Sequence, residues 1–392
     1  MRSEAGVVVI GGGIAGASAA YELAKTVSVV LLEREPQVGY HSTGRSAASF
    51  TENYGAAVIR RLAMASRPFL ESPPPGFSEH ALLSPRGMLT IARADQLELL
   101  RRALEQARAL VPSIHTVSID EALERVPVLR REYLAGAFLE PDSRDIDVHA
   151  LHQGFLRGAR SLGARVLVDV AVSALERRGG RWHITAGDTT FIAPVVVNAA
   201  GAWADVLAQL AGVPPVGLVP KRRTAFTVAL PEGVQPQRWP MVDDVAEEFY
   251  FKPDAGQLLV SPGDATPSPP TDAYPEDIDI ASGVERLERA TTLQVQRVAR
   301  SWAGLRSFVS DGAPVVGFDT AAEGFFWLAA QGGYGIKTSP ALARACAACV
   351  RGGSLPQDLQ QLGITQAELA PARLRGRASA PMATSGATDP RH

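Results

Sequence analysis

The sequence predicts an α/β protein of two domains, one built around a parallel sheet and the other around a mixed sheet. Its 392 residues suffice for two domains of the usual size, roughly 150 residues each. Apolar residues at 46% and charged residues at 20% match a globular protein with a buried core. The clearest local signal is a strand, a glycine-rich turn and a helix at the start of the chain, the first half of a βαβ unit.

The βαβ unit comes first in chain order. The apolar run from Val7 to Ile10 ends in glycines, which is typical of a strand buried on both faces of a parallel sheet. Residues 14–25 then show helical periodicity, and residues 27–32 form a second apolar run. We therefore predict two parallel strands joined by a helix.

Three later apolar runs, of which the last two lead into glycines, predict further strands of the same sheet. They are Arg165 to Val170, Val195 to Val197, and Gly324 to Ala330. A single Rossmann-like domain would then be assembled from segments that are separate in sequence. We assign to it residues 1–86, 143–219 and 301–365.

The intervening segments, 87–142 and 220–300, predict a second, substrate-binding domain with a mixed sheet. The second segment combines strand patterns, such as Thr224 to Leu230, with a long polar helix near Ser282 to Arg300. Residues 370–392 are poor in large apolar side chains, so we predict a disordered tail there.

Charge and hydropathy exclude several classes of partner. The net charge is −2 and the longest basic run is only Lys221 to Arg223, so we expect neither nucleic-acid binding nor a polybasic membrane anchor. No apolar run is long enough for an integral membrane segment, and the N-terminus lacks the pattern of a signal peptide. We expect a cytoplasmic protein, for which peripheral membrane association stays open.

The first glycine-rich turn has the G-x-G-x-x-G pattern of a dinucleotide site. Gly11 permits the tight turn, Gly13 lets the backbone approach a pyrophosphate, and Gly16 lets the helix pack closely on the strand. The helix N-terminus then favours the phosphates, and Glu33, after the next strand, can accept hydrogen bonds from ribose hydroxyls. The pattern alone does not separate NAD from FAD.

Two other spacings have structural interpretations. Cys346 and Cys349 form C-x-x-C within an alanine-rich helical run, without the context of a redox or metal motif. His149 and His152 form H-x-x-H without a third ligand in view, so we expect packing or surface histidines and no metal site.

The chain resembles the FAD-dependent D-amino acid oxidase superfamily, which includes sarcosine and glycine oxidases and D-amino acid dehydrogenases. The resemblance runs from about residue 5 to 350 through VVVIGGGIAGASAAYELA, VNAAGAW, DGAPVVG and GGYGIKT. The motifs GYHSTGRSAA, PKRRTAF, SWAGLRSF and AAQGGYGI are most similar to bacterial D-arginine dehydrogenase. The resemblance implies a D-amino acid oxidase or glutathione-reductase type of fold.

FAD is the cofactor that the resemblance implies. It assigns contacts with FAD to Gly11, Gly13, Ile14, Ala15, Gly16, Glu33, Arg34, Ser42, Thr43, Arg45, Ser46, Ala47, Val172, Ala200, Gly201, Trp203, Gly304, Gly332, Gly333, Tyr334, Gly335, Ile336, Lys337 and Thr338. Related sarcosine oxidases link FAD to a cysteine. Neither cysteine here precedes the Gly332 turn, so we predict non-covalent FAD. A helix opening at Gly335 would direct its N–H groups at the flavin edge that becomes negative on reduction.

An amino acid substrate needs its carboxylate held while the α-carbon faces the flavin. The fork of the Arg306 guanidinium suits a carboxylate, and Tyr250 is a plausible second donor. The resemblance adds Arg223, Tyr54 and the backbone of Gly333 to this set.

Two positions depart from the D-arginine enzymes. The carboxylate that follows Ser84-Pro85-Arg86 is missing, since the chain continues with Gly87, and Ser49 replaces a histidine that faces the substrate. We therefore expect a preference for smaller or less basic D-amino acids, with Glu52 as a candidate replacement carboxylate.

The sequence thus predicts a D-amino acid dehydrogenase of amino acid catabolism, which forms a 2-oxo acid and ammonia by hydride transfer to FAD. We expect a quinone or a soluble carrier as electron acceptor. Three alternatives stay open: a flavin oxidase of glycine, sarcosine or another secondary amine, a non-catalytic flavoprotein, and an NAD-linked dehydrogenase.

Overall fold

The computed structural model describes residues 1–375, and its centre is a six-stranded sheet. The strands lie side by side in the order Arg165–Leu167, Val29–Leu32, Val7–Ile10, Val195–Asn198, Phe325–Ala329, Val315–Phe318. All neighbouring pairs are parallel except the last. The Val7–Ile10 strand is buried throughout, as its apolar run predicts. Helices cover one face of the sheet, and a small four-stranded sheet together with helix Ala204–Leu210 covers the other.

Helices pack on this sheet, and two of them begin at glycine turns. Helix Ile14–Ala24 contacts Val148–Ser161 and Gly335–Val350, and their small residues allow close approach. The other α-helices described are Ala57–Glu71, Leu97–Arg108, Ile119–Arg125, Ala204–Leu210, Asp277–Ala290, Gln357–Gln361 and Gln366–Leu369. Short 3₁₀ turns occupy Ala94–Gln96, Gly201–Trp203 and Pro371–Leu374. No helix within residues 1–375 is long and apolar enough to cross a membrane.

The second large element is an eight-stranded mixed sheet. Its strands lie in the order Val298–Phe308, Val219–Val228, Gln257–Ser261, Tyr250–Asp254, Met241–Asp244, Met88–Ala92, Gly136–Glu140, His115–Val117. One face buries Phe226, Phe251 and Val260 under helix Asp277–Ala290. The opposite face lines cavities, and one of these cavities is also lined by residues that follow strands of the six-stranded sheet.

Two smaller sheets complete the described chain. One has four strands in the order Arg2–Glu4, Thr189–Ala193, Arg181–Ala186, Val172–Arg178. The other has three short strands in the order Ser49–Phe50, Arg144–Ile146, Leu83–Pro85. The mixture of a parallel sheet and mixed sheets is the α/β architecture that the sequence predicts.

Three details differ from the predicted organisation. Residues 301–308 belong to the eight-stranded sheet, because Val298–Phe308 pairs along its length with Val219–Val228. The polar helix is Asp277–Ala290 and ends well before residue 300, since Thr291 already has an extended backbone. The start of the expected tail is folded: Pro371 is buried and Arg373 pairs with Asp311 at 2.9 Å. Residues 376–392 lie outside the described part of the chain.

Candidate active site

The first of three adjoining cavities lies at the carboxyl ends of the parallel strands and has a volume of about 320 Å³. Ligands of open α/β sheets bind at this edge. Among the predicted FAD contacts, the residues that line it are Gly11, Gly13, Glu33, Arg34, Ser42, Thr43, Val172, Ala200, Gly201 and Trp203.

The glycine turn at the base of this cavity tolerates no side chains. Gly11 has a φ of 110°, and a Cβ added to it would lie 2.4 Å from the Ala199 carbonyl oxygen. A Cβ added to Gly16 would lie 1.8 Å from the Gly11 carbonyl oxygen, so Gly16 acts in packing and lines none of the three cavities. The N-cap residue of helix Ile14–Ala24 is a glycine, which offers no side-chain acceptor, and the Ile14 N–H donates to the Thr43 hydroxyl at 3.0 Å. The other N–H groups of the first turn are suited to an anion.

The Glu33 carboxylate is fixed by the backbone of neighbouring turns. One oxygen accepts the Gly12 N–H at 2.7 Å and the other accepts the Glu35 N–H at 2.9 Å. The Arg34 guanidinium lies 4.0 Å from the centre of the Trp203 ring, and both side chains line the cavity. This end therefore offers a hydrogen-bonding carboxylate beside a stacked cationic and aromatic surface.

His152 supports the glycine turn from below. Its Nε2 donates to the Gly12 carbonyl at 2.9 Å, and burial lowers the pKa of its ring. A Cβ added to Gly39 would lie 3.0 Å from the His152 ring. His152 is therefore a buried packing residue. The H-x-x-H spacing gave no sign of its hydrogen bond to the Gly12 carbonyl. Within residues 1–375 no group of three His, Cys, Asp or Glu side chains could hold a metal ion.

The second cavity, of about 140 Å³, runs from the first glycine helix to the eight-stranded sheet. The predicted contacts that line it are Gly13, Ile14, Ala15, Ser42, Thr43, Arg45, Ser46, Ala47, Gly201, Gly304, Gly332, Gly333, Gly335 and Ile336. Arg45 donates to the carbonyls of Ala273 and Ala303 at 2.9 and 3.0 Å. These bonds tie the loop that carries Arg45 to the second sheet.

The helix that begins at Gly335 has no side-chain cap, so its first N–H groups are open to this cavity. Two of the predicted contacts, Tyr334 and Thr338, line none of the three cavities. The Thr338 N–H and hydroxyl both donate to the Tyr334 carbonyl, at 3.1 and 2.9 Å. The Tyr334 ring packs against Tyr54 at 5.2 Å instead.

A further donor in the second cavity has no partner within the described chain. The buried Gln331 amide nitrogen makes no hydrogen bond, although Gln331 lines the cavity. A buried donor of this kind costs free energy until a ligand supplies an acceptor. The N-cap residues of the two helices that begin at Ile14 and Gly335 provide no side-chain acceptor, and the Glu33 carboxylate is held in place for a ribose. Together with the Gln331 amide, these groups fit an elongated dinucleotide with polar ring edges, such as FAD.

The third cavity, of about 100 Å³, lies beyond Gly333. It is lined by the predicted substrate residues, which are Ser49, Tyr54, Arg223, Tyr250, Arg306 and Gly333. Sequence reasoning missed other residues of its lining, which include the polar Thr51, Asp243 and Glu247 and the apolar Met88 and Met241. Their strands carry no local motif, and only the sheet order brings them together.

Arg306 and Tyr250 are donors without acceptors. Within residues 1–375 neither the guanidinium nor the hydroxyl has a hydrogen-bond or ion-pair partner. Burial, the largest influence, lowers the pKa of Arg306, but the combined influence of its neighbours outweighs it, and the pKa is raised. These neighbours are Tyr250, Tyr54, Tyr334 and Asp264. The guanidinium lies against Gly333, whose added Cβ would be 3.1 Å from its central carbon. A carboxylate bound here would accept from both donors.

Arg223 adds a second positive charge beside Arg306. Its Nε donates to the Asp264 carbonyl, and burial together with the charge of Arg306 lowers its pKa. The Asp264 carboxylate, 3.9 Å from the Arg223 Nε, offsets part of this charge, but Arg306 has no such partner within residues 1–375 and favours a bound anion. The third cavity is therefore electrostatically suited to a carboxylate on the side nearest Gly333.

Three other predicted residues have different surroundings. The Ser49 hydroxyl donates to the Met241 sulfur at 3.3 Å, which places it on the cavity wall. Glu52 is not a replacement carboxylate, because it pairs with Arg67 at 2.6 Å and does not line the cavity. The Lys337 side chain donates to the Thr51 and Tyr54 carbonyls at 2.8 Å, and burial lowers its pKa to about 7.

Fold and site together define an FAD-dependent oxidoreductase. The family model for FAD dependent oxidoreductases, called DAO, matches residues 6–349, and the chain belongs to this family. Glycine oxidase from Geobacillus kaustophilus is 24% identical over 92% of this chain and 96% of its own length. Rat mitochondrial dimethylglycine dehydrogenase is 22% identical over 92% of this chain and 44% of its own.

Solved structures share the fold. The glycine oxidase of Geobacillus kaustophilus superposes with a TM-score of 0.80 over 92% of this chain and 98% of its own, at 23% identity. L-proline dehydrogenase from P. horikoshii also gives 0.80, over 95% and 98%, at 21% identity. These structures confirm the predicted type of fold, and the family match over residues 6–349 confirms the predicted superfamily and its FAD cofactor.

The cysteines lie apart from all three cavities, which leads to a test of how FAD is held. Cys346 is buried in helix Gly335–Val350, where burial raises the pKa of its thiol, and Cys349 is half-buried nearby. We expect acid precipitation to release all of the flavin into the supernatant, as measured by absorbance. Flavin that stays with the precipitated chain would contradict non-covalent binding, and a free-FAD sample treated alike is the control.

Proposed function

We propose that this protein is an FAD-dependent dehydrogenase of D-amino acids, which forms a 2-oxo acid and ammonia. The observation that carries the proposal is the pair of unpartnered donors, Arg306 and Tyr250, where the second and third cavities meet. A substrate carboxylate bound by this pair would place the α-carbon beside the cavity assigned to the flavin.

The junction between the cavities defines the orientation of the substrate. Residues that line both cavities are Ser46, Ala47, Arg223, Tyr250, Arg306, Gly333 and Ile336. A bidentate bond from Arg306 fixes both the position and the rotation of a carboxylate. Holding the reacting carbon in one geometry is itself a large part of catalysis.

The chemistry needs few further groups. FAD, when bound, accepts the hydride that leaves the substrate α-carbon. The amine nitrogen loses a proton and forms an imine, which water converts to the 2-oxo acid and ammonia. Arg306 and Arg223 keep the carboxylate ionised throughout, while the buried cavity limits the access of water to the reacting carbon. A quinone or a soluble carrier then removes the electrons.

A second candidate function is the oxidation of glycine, sarcosine or another secondary amine with oxygen. It is favoured by the names of two relatives, glycine oxidase and dimethylglycine dehydrogenase. The same carboxylate clamp would serve glycine and sarcosine, since each carries a carboxylate. The choice of D-amino acids depends on the likeness of motifs such as SWAGLRSF to D-arginine dehydrogenase.

Anaerobic mixing of the purified protein with D- and L-amino acids, glycine and sarcosine tests the proposal. We expect D-amino acids, and not their L-enantiomers, to bleach the flavin absorbance. Bleaching by sarcosine or glycine alone, with hydrogen peroxide formed in air, would support the second candidate. A yellow protein that none of these compounds reduces would contradict both.

A further inference from the structure

The part of the third cavity that lies away from the flavin side has an acidic character. We call it the distal subsite, and define it as the lining residues not shared with the second cavity: Ala48, Ser49, Thr51, Tyr54, Met88, Met241, Asp243, Glu247 and Lys337. If Arg306 binds the substrate carboxylate at the junction, the substrate side chain enters this subsite. The inference below therefore rests on the proposed function.

Sheet register directs Asp243 into the cavity. Asp243 lies on strand Met241–Asp244, directly opposite Tyr250 on the neighbouring strand. Because side chains alternate along a strand, Met241 and Asp243 share the face that carries Tyr250. Val242, between them, is fully buried in the core on the other face.

The Asp243 carboxyl group has no partner of its own. Within residues 1–375 it makes no hydrogen bond and no ion pair. Neighbouring aspartates differ, since Asp244 accepts the Ala246 N–H at 2.9 Å and Asp264 accepts the Thr224 N–H at 2.7 Å. An unpaired carboxylate enclosed by protein is costly, and a bound cation removes that cost.

The positively charged side chains around the subsite bind other groups or are assigned to the substrate carboxylate. Arg223 donates to the Asp264 carbonyl, and Lys337 donates to the carbonyls of Thr51 and Tyr54. Arg306 belongs to the carboxylate clamp. Neither arginine nor Lys337 comes within ion-pair distance of Asp243 among the described residues.

Other acidic groups near Asp243 increase the stabilisation that a bound cation would provide. Glu247 carries a second carboxylate into the subsite and accepts the Tyr54 hydroxyl at 3.3 Å. Burial, followed by the charges of Glu247 and Asp244, raises the pKa of Asp243 well above its ordinary value. A positive group that enters the subsite would favour the ionised form of Asp243 and be held by it.

We propose that Asp243 is a specificity-determining residue, and that the preferred substrate is an amino acid whose side chain ends in a positively charged nitrogen. The Met88 and Met241 side chains beside it offer an adaptable apolar wall for the aliphatic stem of such a side chain. The preference for less basic substrates, expected from Gly87, is thereby reversed: the strand Met241–Asp244 supplies the carboxylate that is missing at residue 87.

The test compares nearly isosteric substrates that differ in charge. D-lysine is paired with D-2-aminoheptanoic acid, and D-arginine with D-citrulline, and kcat/KM is measured for the wild type and Asp243→Asn. We expect the wild type to prefer the charged member of each pair by about tenfold or more, the effect of one charge-assisted hydrogen bond. In Asp243→Asn this ratio should fall by about tenfold.

Asp254→Asn is the matched control, because Asp254 is exposed at the end of the neighbouring strand. It should retain the wild-type ratio. A ratio that is equal in the wild type and Asp243→Asn, or a wild type without preference for charge, would overturn the inference. If Asp243→Asn loses FAD, Asp243→Glu, which should keep the preference, replaces it. A wild-type flavin that no amino acid reduces would instead refute the proposed function.

Discussion

Replacing Arg306 by methionine is expected to lower kcat/KM for the preferred amino acid by roughly thirtyfold to several thousandfold. Removing one partner of a buried, hydrogen-bonded charge pair costs about 2–5 kcal/mol, and each 1.36 kcal/mol changes a rate about tenfold. Methionine keeps most of the apolar volume of the arginine stem. The loss would therefore report the missing carboxylate clamp and not a cavity.

Steady-state kinetics with anaerobic flavin reduction measures this effect in both kcat and KM. Arg300→Met is the matched control, because Arg300 is exposed on the same strand and should retain wild-type values. Arg306→Lys keeps the charge but loses the fork, so we expect it to recover only part of the activity. An Arg306→Met enzyme within threefold of the wild type would show that the carboxylate binds elsewhere.

The parallel sheet could be predicted because its sequence signals are local. The strands Val7–Ile10, Val195–Asn198 and Phe325–Ala329 are apolar runs that lead into glycine-containing turns, and the first such turn has a fixed spacing to the helix that follows it. The strand Val298–Phe308 was harder to assign to a sheet, because its first half is largely exposed and resembles the polar stretch before it. Its membership of the second sheet depends on pairing with Val219–Val228, a long-range contact that no local pattern records.

The site divides along the same line. Gly11, Glu33 and Arg306 lie in recognisable motifs, and the structure places each of them on a cavity wall. Asp243 and Gln331 have no motif, and their importance arises from missing partners in the folded chain. Glu52 is the opposite case: the sequence suggested it as a substrate carboxylate, but in the folded chain it forms an ion pair with Arg67. Unpartnered buried groups thus mark candidate ligand contacts that sequence spacing does not indicate.

The Gly16→Ala substitution should abolish stable binding of FAD. Its Cβ would lie 1.8 Å from the Gly11 carbonyl oxygen and 3.3 Å from a Val9 methyl group, so helix Ile14–Ala24 must move away from the glycine turn. The turn cannot yield in compensation, because Gly11 is itself packed against the Ala199 carbonyl. Forcing an extra group into a packed site costs about 1–3 kcal/mol or more, and here the helix N-terminus that should receive the pyrophosphate moves as well.

The measurements are the flavin content after gel filtration and the midpoint of thermal unfolding with and without added FAD. Ligand that binds only the folded state raises this midpoint, so Gly16→Ala should have a lower midpoint and respond little to FAD. Gly353→Ala is the matched control, because its added Cβ would meet only the Ala348 carbonyl oxygen, at 3.4 Å. A Gly16→Ala protein that keeps the flavin content of the wild type would mean that the close approach of helix and strand is not what positions the phosphates. The dinucleotide site would then depend chiefly on Glu33 and on the helix that begins at Gly335.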